Sequence, residues 1–168
     1  MNYVWAPWRM AYIEGGGQPP GGGCVFCWAP TQPDGPENLI VYRAKHNYVI
    51  LNRFPYTGGH LMIVPYEHID DLTRLPAATR AEMMDLAAMA LQVLREVYHP
   101  QGFNLGMNLG RVAGAGIADH VHLHVVPRWA GDTNFMTTIG ETRVLPESLE
   151  RTYERLRDAW QRLFGQRS

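Results

Sequence analysis

The sequence predicts an α+β fold with an antiparallel sheet of about five strands, one long central helix and a C-terminal helix. Strand-like apolar runs lie on both sides of one long helical segment, and they follow one another in mostly hairpin-like order. No glycine-rich phosphate loop follows a strand, which argues against a doubly wound nucleotide fold. A length of 168 residues suits one domain with a substantial core.

The predicted strands are short apolar runs separated by turn residues. Asp34-Gly35-Pro36 marks the turn before the first run, and residues 54–59 break the chain between the second and the third. We expect strands at about 39–43, 47–52, 60–64, 103–108 and 120–126.

Two helices are expected from the spacing of apolar residues. The long helix begins near Pro76, because proline is favoured in a first turn. Its buried face follows a three-and-four spacing: Met83, Leu86, Ala87, Ala90, Leu91, Leu94 and Val97. The second helix begins near Pro146, and its apolar stripe packs either on the body or on a partner subunit. That stripe comprises Leu149, Tyr153, Leu156, Trp160 and Leu163.

We expect residues 1–168 to form one domain with three parts. Residues 1–23 are an aromatic arm (5–13) and a glycine- and proline-rich linker, residues 24–130 are the core, and residues 131–168 are a C-terminal extension and helix.

The composition excludes several classes of protein. A net charge of -1 provides no basic surface for DNA or RNA, so any phosphate recognised here is expected to be small and locally held. No apolar run approaches the roughly 20 residues that cross a bilayer. The first residues lack the basic start and apolar stretch of a signal peptide, so we expect no membrane partner and a cytoplasmic protein.

Three histidines alternate with apolar residues in the last predicted strand. His120, His122 and His124 therefore share one face, about 6.6–6.8 Å apart, while the residues between them point into the core. One histidine could simply lie on a wet face, but three in alternation do not fit that explanation. A metal site is possible, although this spacing is wide for three ligands on one ion. The other interpretation is nucleophilic catalysis, in which the central imidazole attacks phosphorus.

Residues 120–126 read His-Val-His-Leu-His-Val-Val and resemble the motif of the histidine-triad (HIT) superfamily, as does the strand that begins Gly59-His60. The resemblance covers nearly the whole chain and implies a HIT-like fold. It also implies that His122 attacks the α-phosphorus and forms a nucleotidyl-phosphohistidine. His124 would bind phosphate oxygens, His60 would support the site from the neighbouring strand, and His120 would complete the triad.

The resemblance also implies substrate contacts. Asn52, at the end of the second strand, matches an asparagine that contacts the ribose, and Asn108 matches a polar position that touches phosphates. An asparagine at 108, together with the segments 5–9 and 102–104, resembles the bacterial diadenosine-tetraphosphate phosphorylases of the superfamily.

The residue four positions before His120 bears on whether water or phosphate accepts the nucleotidyl group. The fragile-histidine-triad branch of the superfamily, which cleaves dinucleoside polyphosphates with water, has a glutamine there that helps place the water, whereas this chain has Gly116. The change leaves room for inorganic phosphate, and backbone N–H groups at Gly114 and Gly116 can approach an anion closely. We therefore expect diadenosine tetraphosphate to be cleaved with phosphate to ADP and ATP. Phosphorylases of the family often have a serine beside this glycine, but this chain has Ala115. Hydrolysis of a dinucleoside polyphosphate or a nucleoside phosphoramidate by water therefore stays open as an alternative. The substrate is expected to be a dinucleoside polyphosphate or a mononucleotide. A zinc-stabilised nucleotide-binding module that only senses adenine nucleotides is the non-enzymatic alternative, and the intact His122 argues against it.

Cys24 and Cys27 form a pair too sparse for a disulfide scaffold, and a redox pair fits poorly because no helix opens there after a strand. The resemblance implies a structural zinc held by Cys24, Cys27, His68 and His120, which would make His120 a ligand and not a catalytic partner. The alternative is two unpaired thiols and a solvent-exposed His68. No organic cofactor is expected. The family also implies a homodimer with one sheet continuous across both subunits.

Overall fold

The described part of the chain folds around one five-stranded antiparallel sheet with strand order β1-β2-β3-β5-β4, so the predicted α+β class is confirmed. The structure, a computed structural model, describes residue 19 and residues 21–132 and 147–165. The aromatic arm 5–13, most of the linker and residues 133–146 lie outside the described residues. The strands are β1 (Ile40–Arg43), β2 (Asn47–Leu51), β3 (Leu61–Pro65), β4 (Gly102–Gly106) and β5 (Leu123–Arg128).

The long helix, α2 (Ala77–Tyr98), begins where the sequence predicts, with Pro76 at its N-cap. It packs on β2, β3 and β5. Five of the seven residues predicted for its buried face are buried, whereas Leu91 and Val97 are half-buried and Val93 is buried in addition.

The C-terminal helix, α3 (Leu149–Phe164), begins three residues after Pro146, since Ser148 is its N-cap. It packs on α2 and β1, so its stripe covers the body of this chain. The prediction for Leu163 is wrong, because this side chain is 43% exposed and Phe164 contacts the Trp160 ring instead. Among the helices of the described residues, none is long and apolar enough to cross a membrane.

The predicted strand 120–126 requires a correction, because β5 begins only at Leu123. The ladder with β3 ends at the pair Ile63 and Leu123, and the Val121 N–H donates to the Ile69 carbonyl at 2.7 Å. The chain before β5 thus follows the loop after β3 instead of β3 itself. Val121, Leu123 and Val125 are nevertheless buried, as the alternation predicts.

One α-helix of the described residues was not predicted from the sequence. This helix, α1 (Val25–Trp28), is a single turn that starts directly after Cys24 and contains Cys27. Four residues are too few to show the periodicity of a helix. Its position matters because it forms one wall of the candidate site.

Candidate active site

A cavity of about 330 Å³ lies between α1, the segments flanking β1 and β2, and the loop between β4 and β5. Its apolar wall includes side chains from α1 and from the β1–β2 hairpin, such as Phe26, Leu39 and Ile50. Six of the residues predicted for the site line it: Asn52, Asn108, Gly114, Gly116, His122 and His124. The cavity therefore combines an apolar surface with imidazole and amide groups, which suits a ligand with a flat base and a phosphate.

His122 is held in one tautomer. Its Nδ1–H donates to the His120 carbonyl at 2.9 Å, which leaves Nε2 as the ring nitrogen with the lone pair. The residue is 6% exposed, and burial lowers its pKa, opposed by that backbone hydrogen bond. A neutral imidazole with an unprotonated Nε2 is the form that can act as a nucleophile.

A hydrogen-bond chain orients His124. The Tyr56 backbone N–H donates to His60 Nδ1 at 3.1 Å, so His60 carries its proton on Nε2. That Nε2–H donates to His124 Nδ1 at 2.9 Å. His124 must therefore carry its own proton on Nε2, where it can donate to a ligand. Burial, with a smaller contribution from His122, lowers the pKa of His124 to about 4 and keeps the ring neutral near neutral pH.

His60 and Asn52 meet at the end of β2. The Asn52 Nδ2 atom lies 3.4 Å from His60 Nδ1, and its Oδ1 accepts from the Phe54 N–H at 3.0 Å. His60 is fully buried, while Asn52 is half-buried and faces the cavity. The structure therefore brings His60 behind the cavity wall and Asn52 onto it.

The loop after β4 supplies the other polar wall. The Asn108 side-chain amide donates to the Gly114 carbonyl at 3.5 Å. Gly114 has a φ of +88°, a conformation that favours glycine, and its N–H donates to the Arg111 carbonyl at 3.0 Å. That N–H is therefore occupied by the turn, which differs from the free anion donor expected at Gly114.

The four residues predicted as metal ligands form one cluster. One ligand atom from each of Cys24, Cys27, His68 and His120 lies within 4.8 Å of all the others. His120 Nδ1 is 3.3 Å from Cys24 Sγ, 3.6 Å from Cys27 Sγ and 3.3 Å from His68 Nδ1. Tetrahedral zinc, with bonds of about 2.0–2.3 Å, separates neighbouring ligand atoms by about 3.3–3.8 Å. Two thiols and two imidazoles at these distances fit such an ion.

His120 belongs to this cluster and not to the cavity lining. Its Nε2–H donates to the Pro65 carbonyl at 2.8 Å, so Nδ1 is unprotonated and faces the two thiols. Burial lowers the pKa of His120 to about 4, which keeps it neutral as a ligand must be. Burial and the neighbouring Cys24 raise the pKa of the Cys27 thiol to about 11, and a bound cation would reverse that effect.

Phe26 is one of the cavity-lining residues that sequence reasoning missed. It stands between the two cysteines and lines the cavity, and its ring contacts both His120 and His122. The available signal was an aromatic residue inside the Cys-x-x-Cys segment, which by itself does not say what the ring touches.

Comparison with known proteins places this chain in a family. The HIT domain model matches residues 35–131. The AP-4-A phosphorylase of Mycobacterium tuberculosis is 40% identical over 169 aligned residues, covering 96% of this chain and 86% of that protein. A Zn-bound histidine triad family protein from Mycobacterium smegmatis superposes with a TM-score of 0.68 at 32% identity, covering 84% of this chain and 95% of that one.

A hypothetical histidine triad nucleotide-binding protein from Sulfolobus tokodaii shares the fold, with a TM-score of 0.67 at 24% identity over 86% of this chain and 99% of that one. The family model covers more than half of the sequence and includes all three histidines of the triad. This chain belongs to the histidine-triad (HIT) family.

Proposed function

We propose that this protein is a nucleotidyltransferase that cleaves dinucleoside polyphosphates, diadenosine tetraphosphate in particular, with inorganic phosphate as the acceptor. The observation that carries the proposal is the pair of opposite tautomers in one cavity, where His122 presents a lone pair and His124 presents a proton. The name of the M. tuberculosis relative, which is similar over nearly the whole chain, supports this substrate.

In the first step, His122 Nε2 attacks the α-phosphorus of the substrate. One N–P bond forms, the bond from that phosphorus to the bridging oxygen breaks, and ATP leaves with the bond's electron pair. The His124 Nε2–H donates a hydrogen bond to the oxygens on which negative charge accumulates. The product on the enzyme is an adenylyl group on His122.

In the second step, an oxygen of inorganic phosphate attacks the same phosphorus. The N–P bond breaks, ADP leaves and His122 Nε2 regains its lone pair. Gly116 on the cavity wall leaves space for this acceptor. Water in place of phosphate would release AMP instead of ADP.

The cavity walls account for binding. The apolar wall from α1 and the β1–β2 hairpin would hold the base, Asn52 the ribose and Asn108 the phosphates, since all of these groups line the same space. The cavity of about 330 Å³ lies at the small end of ligand sites, which suits one nucleotide half of the substrate.

Zinc is the proposed cofactor, with Cys24, Cys27, His68 and His120 as its ligands. When bound it would act structurally, by joining α1 to the segment that precedes His122. The similar M. smegmatis protein is Zn-bound, which supports this. Reduced thiolate ligands suit a reducing compartment, so we place the protein in the cytoplasm.

We also propose a homodimer with one continuous sheet. Within the described residues, β4 pairs only with β5, so its other edge is available, and the residues from Asn104 to Gly106 are exposed. An exposed strand edge is a template for pairing with another strand.

Product analysis tests the proposed reaction. Incubation with diadenosine tetraphosphate should yield ADP and ATP only when phosphate is present. AMP with ATP, independent of phosphate, would instead establish water as the acceptor. Binding without any turnover would favour the sensor.

The variant His122→Ala tests the nucleophile. It should abolish turnover while nucleotide binding persists, because the cavity walls are intact. His99→Asn is the matched control, since His99 is an exposed helix cap outside the cavity and asparagine accepts its left-handed backbone. Turnover in His122→Ala equal to that of the control would refute the mechanism.

A further inference from the structure

Phe26 touches both the metal cluster and the proposed nucleophile. Its ring centroid lies 5.5 Å from that of His120 with the rings edge to face, and 4.9 Å from that of His122. The side chain is only 3% exposed. One aromatic ring therefore bridges a candidate ligand and the residue that attacks phosphorus.

The position of this ring depends on its neighbours in the chain. Cys24 and Cys27, which flank Phe26, both belong to the cluster. The Phe26 carbonyl accepts from the Tyr48 hydroxyl at 2.6 Å, which ties α1 to β2. A single helical turn does not persist on its own. The two cysteines, this hydrogen bond and the burial of Phe26 in the core therefore hold its ring in place.

The contact with Phe26 limits how the His122 ring can rotate. The Nδ1–H of His122 bonds the His120 carbonyl, and rotation of the ring would break this bond and release the tautomer. Phe26 packs against the ring and restricts such rotation, since packed side chains stay in their rotamers.

We propose that Phe26 is a positioning residue that makes the orientation of the His122 ring depend on metal occupancy of the neighbouring cluster. With zinc bound, the knuckle of residues 24–27 holds Phe26 against His122, and Nε2 faces the cavity. Without zinc, the knuckle loosens and His122 samples both tautomers. This inference rests on the proposed function only in taking His122 as the nucleophile.

The test is a two-by-two comparison of the wild type and Phe26→Leu, each loaded with zinc and after removal of zinc by a chelator. The readouts are zinc content, the His122 ring tautomer by ¹⁵N–¹H nuclear magnetic resonance, and kcat with diadenosine tetraphosphate and phosphate. Phe103→Leu is the matched control, because it makes the same replacement in β4, outside the cavity lining and the cluster.

Zinc-loaded Phe26→Leu should retain about one zinc per chain, yet show mixed His122 tautomers and a kcat reduced roughly tenfold, the size of one lost orienting contact. Zinc-free wild type should show the same mixture. Removing zinc from Phe26→Leu should change kcat by less than about twofold more, because coupled sites are not additive. Phe26→Tyr, which keeps the ring, should restore the single tautomer.

Several results would overturn the inference. An unchanged His122 tautomer in zinc-loaded Phe26→Leu would do so, as would effects of the substitution and of metal removal that simply add. If Phe26→Leu does not fold, the wild type alone decides, since a single tautomer in the folded, zinc-free protein also overturns it. If the His122 tautomer changes as predicted but the wild type never turns over diadenosine tetraphosphate, the proposed function is refuted and the positioning role of Phe26 stands.

Discussion

Replacing His60 with leucine tests whether this buried residue outside the cavity determines which ring nitrogen of His124 carries the proton. His60 accepts from the Tyr56 N–H at 3.1 Å and donates to His124 Nδ1 at 2.9 Å. Leucine makes neither bond, so His124 can place its proton on Nδ1 and present a bare Nε2 to the substrate. A donor that faces an anionic phosphate would then become an acceptor.

The magnitude follows from the bonds involved. A hydrogen bond to a charged group contributes about 1.5–3 kcal/mol. Loss of the one from His124 to the phosphoryl oxygens should therefore lower kcat by about 10- to 150-fold. The two neutral bonds of His60 contribute about 0.5–1.5 kcal/mol each to stability, so the variant should stay folded with a reduced free energy of unfolding.

The assay is steady-state turnover of diadenosine tetraphosphate with phosphate, together with urea denaturation. Thr152→Val is the control, because it removes a buried hydroxyl that donates to the Ser148 carbonyl at 3.0 Å in α3, outside the cavity. It should lower stability by about 1 kcal/mol and leave kcat intact. The reasoning fails if folded His60→Leu keeps kcat within a factor of about two, since that corresponds to only about 0.4 kcal/mol.

Three further predictions concern the metal, pH and the backbone. Elemental analysis should find about one zinc per chain in the wild type and a loss of it in Cys24→Ser, whereas a stable, metal-free wild type would rule the site out. Partial burial raises the pKa of Glu82, but hydrogen bonds from Asn47 and backbone N–H groups outweigh this and lower it. The stability advantage of the wild type over Glu82→Gln should therefore be present above about pH 4.3 and disappear as the pH falls through the folded pKa; a difference in urea midpoints that does not vary with pH would contradict this. Gly59→Ala should lower the free energy of unfolding by about 1–2 kcal/mol or more, since Gly59 has a φ of +80° and an added Cβ would lie 3.0 Å from Leu94 Cδ2; an unchanged thermal midpoint would show that the turn tolerates a side chain.

Local patterns accounted for much of the fold. The three-and-four spacing predicted α2, Pro76 predicted where it begins, and the alternation of the triad correctly placed Val121, Leu123 and Val125 in the core. These are properties of neighbouring residues, so a linear reading can detect them.

Two errors, in the strand 120–126 and the helix α1, arose from contacts between residues that are distant in the sequence. The predicted strand 120–126 began too early, because the Val121 N–H bonds the Ile69 carbonyl of the loop after β3, and His120 beside it lies against cysteines more than ninety positions away. The helix α1 was missed because its position depends on the same contacts and not on periodicity.

The sequence by itself determined the family, the antiparallel sheet and the two histidines that line the cavity, His122 and His124, because these follow from motif and period. Only the tertiary structure decided what each imidazole can do. The role of a ring nitrogen depends on its partner, and those partners are the Tyr56 N–H for His60, His60 for His124 and the Pro65 carbonyl for His120. These partners come together only when loops and strands distant in sequence are packed, which no local pattern records.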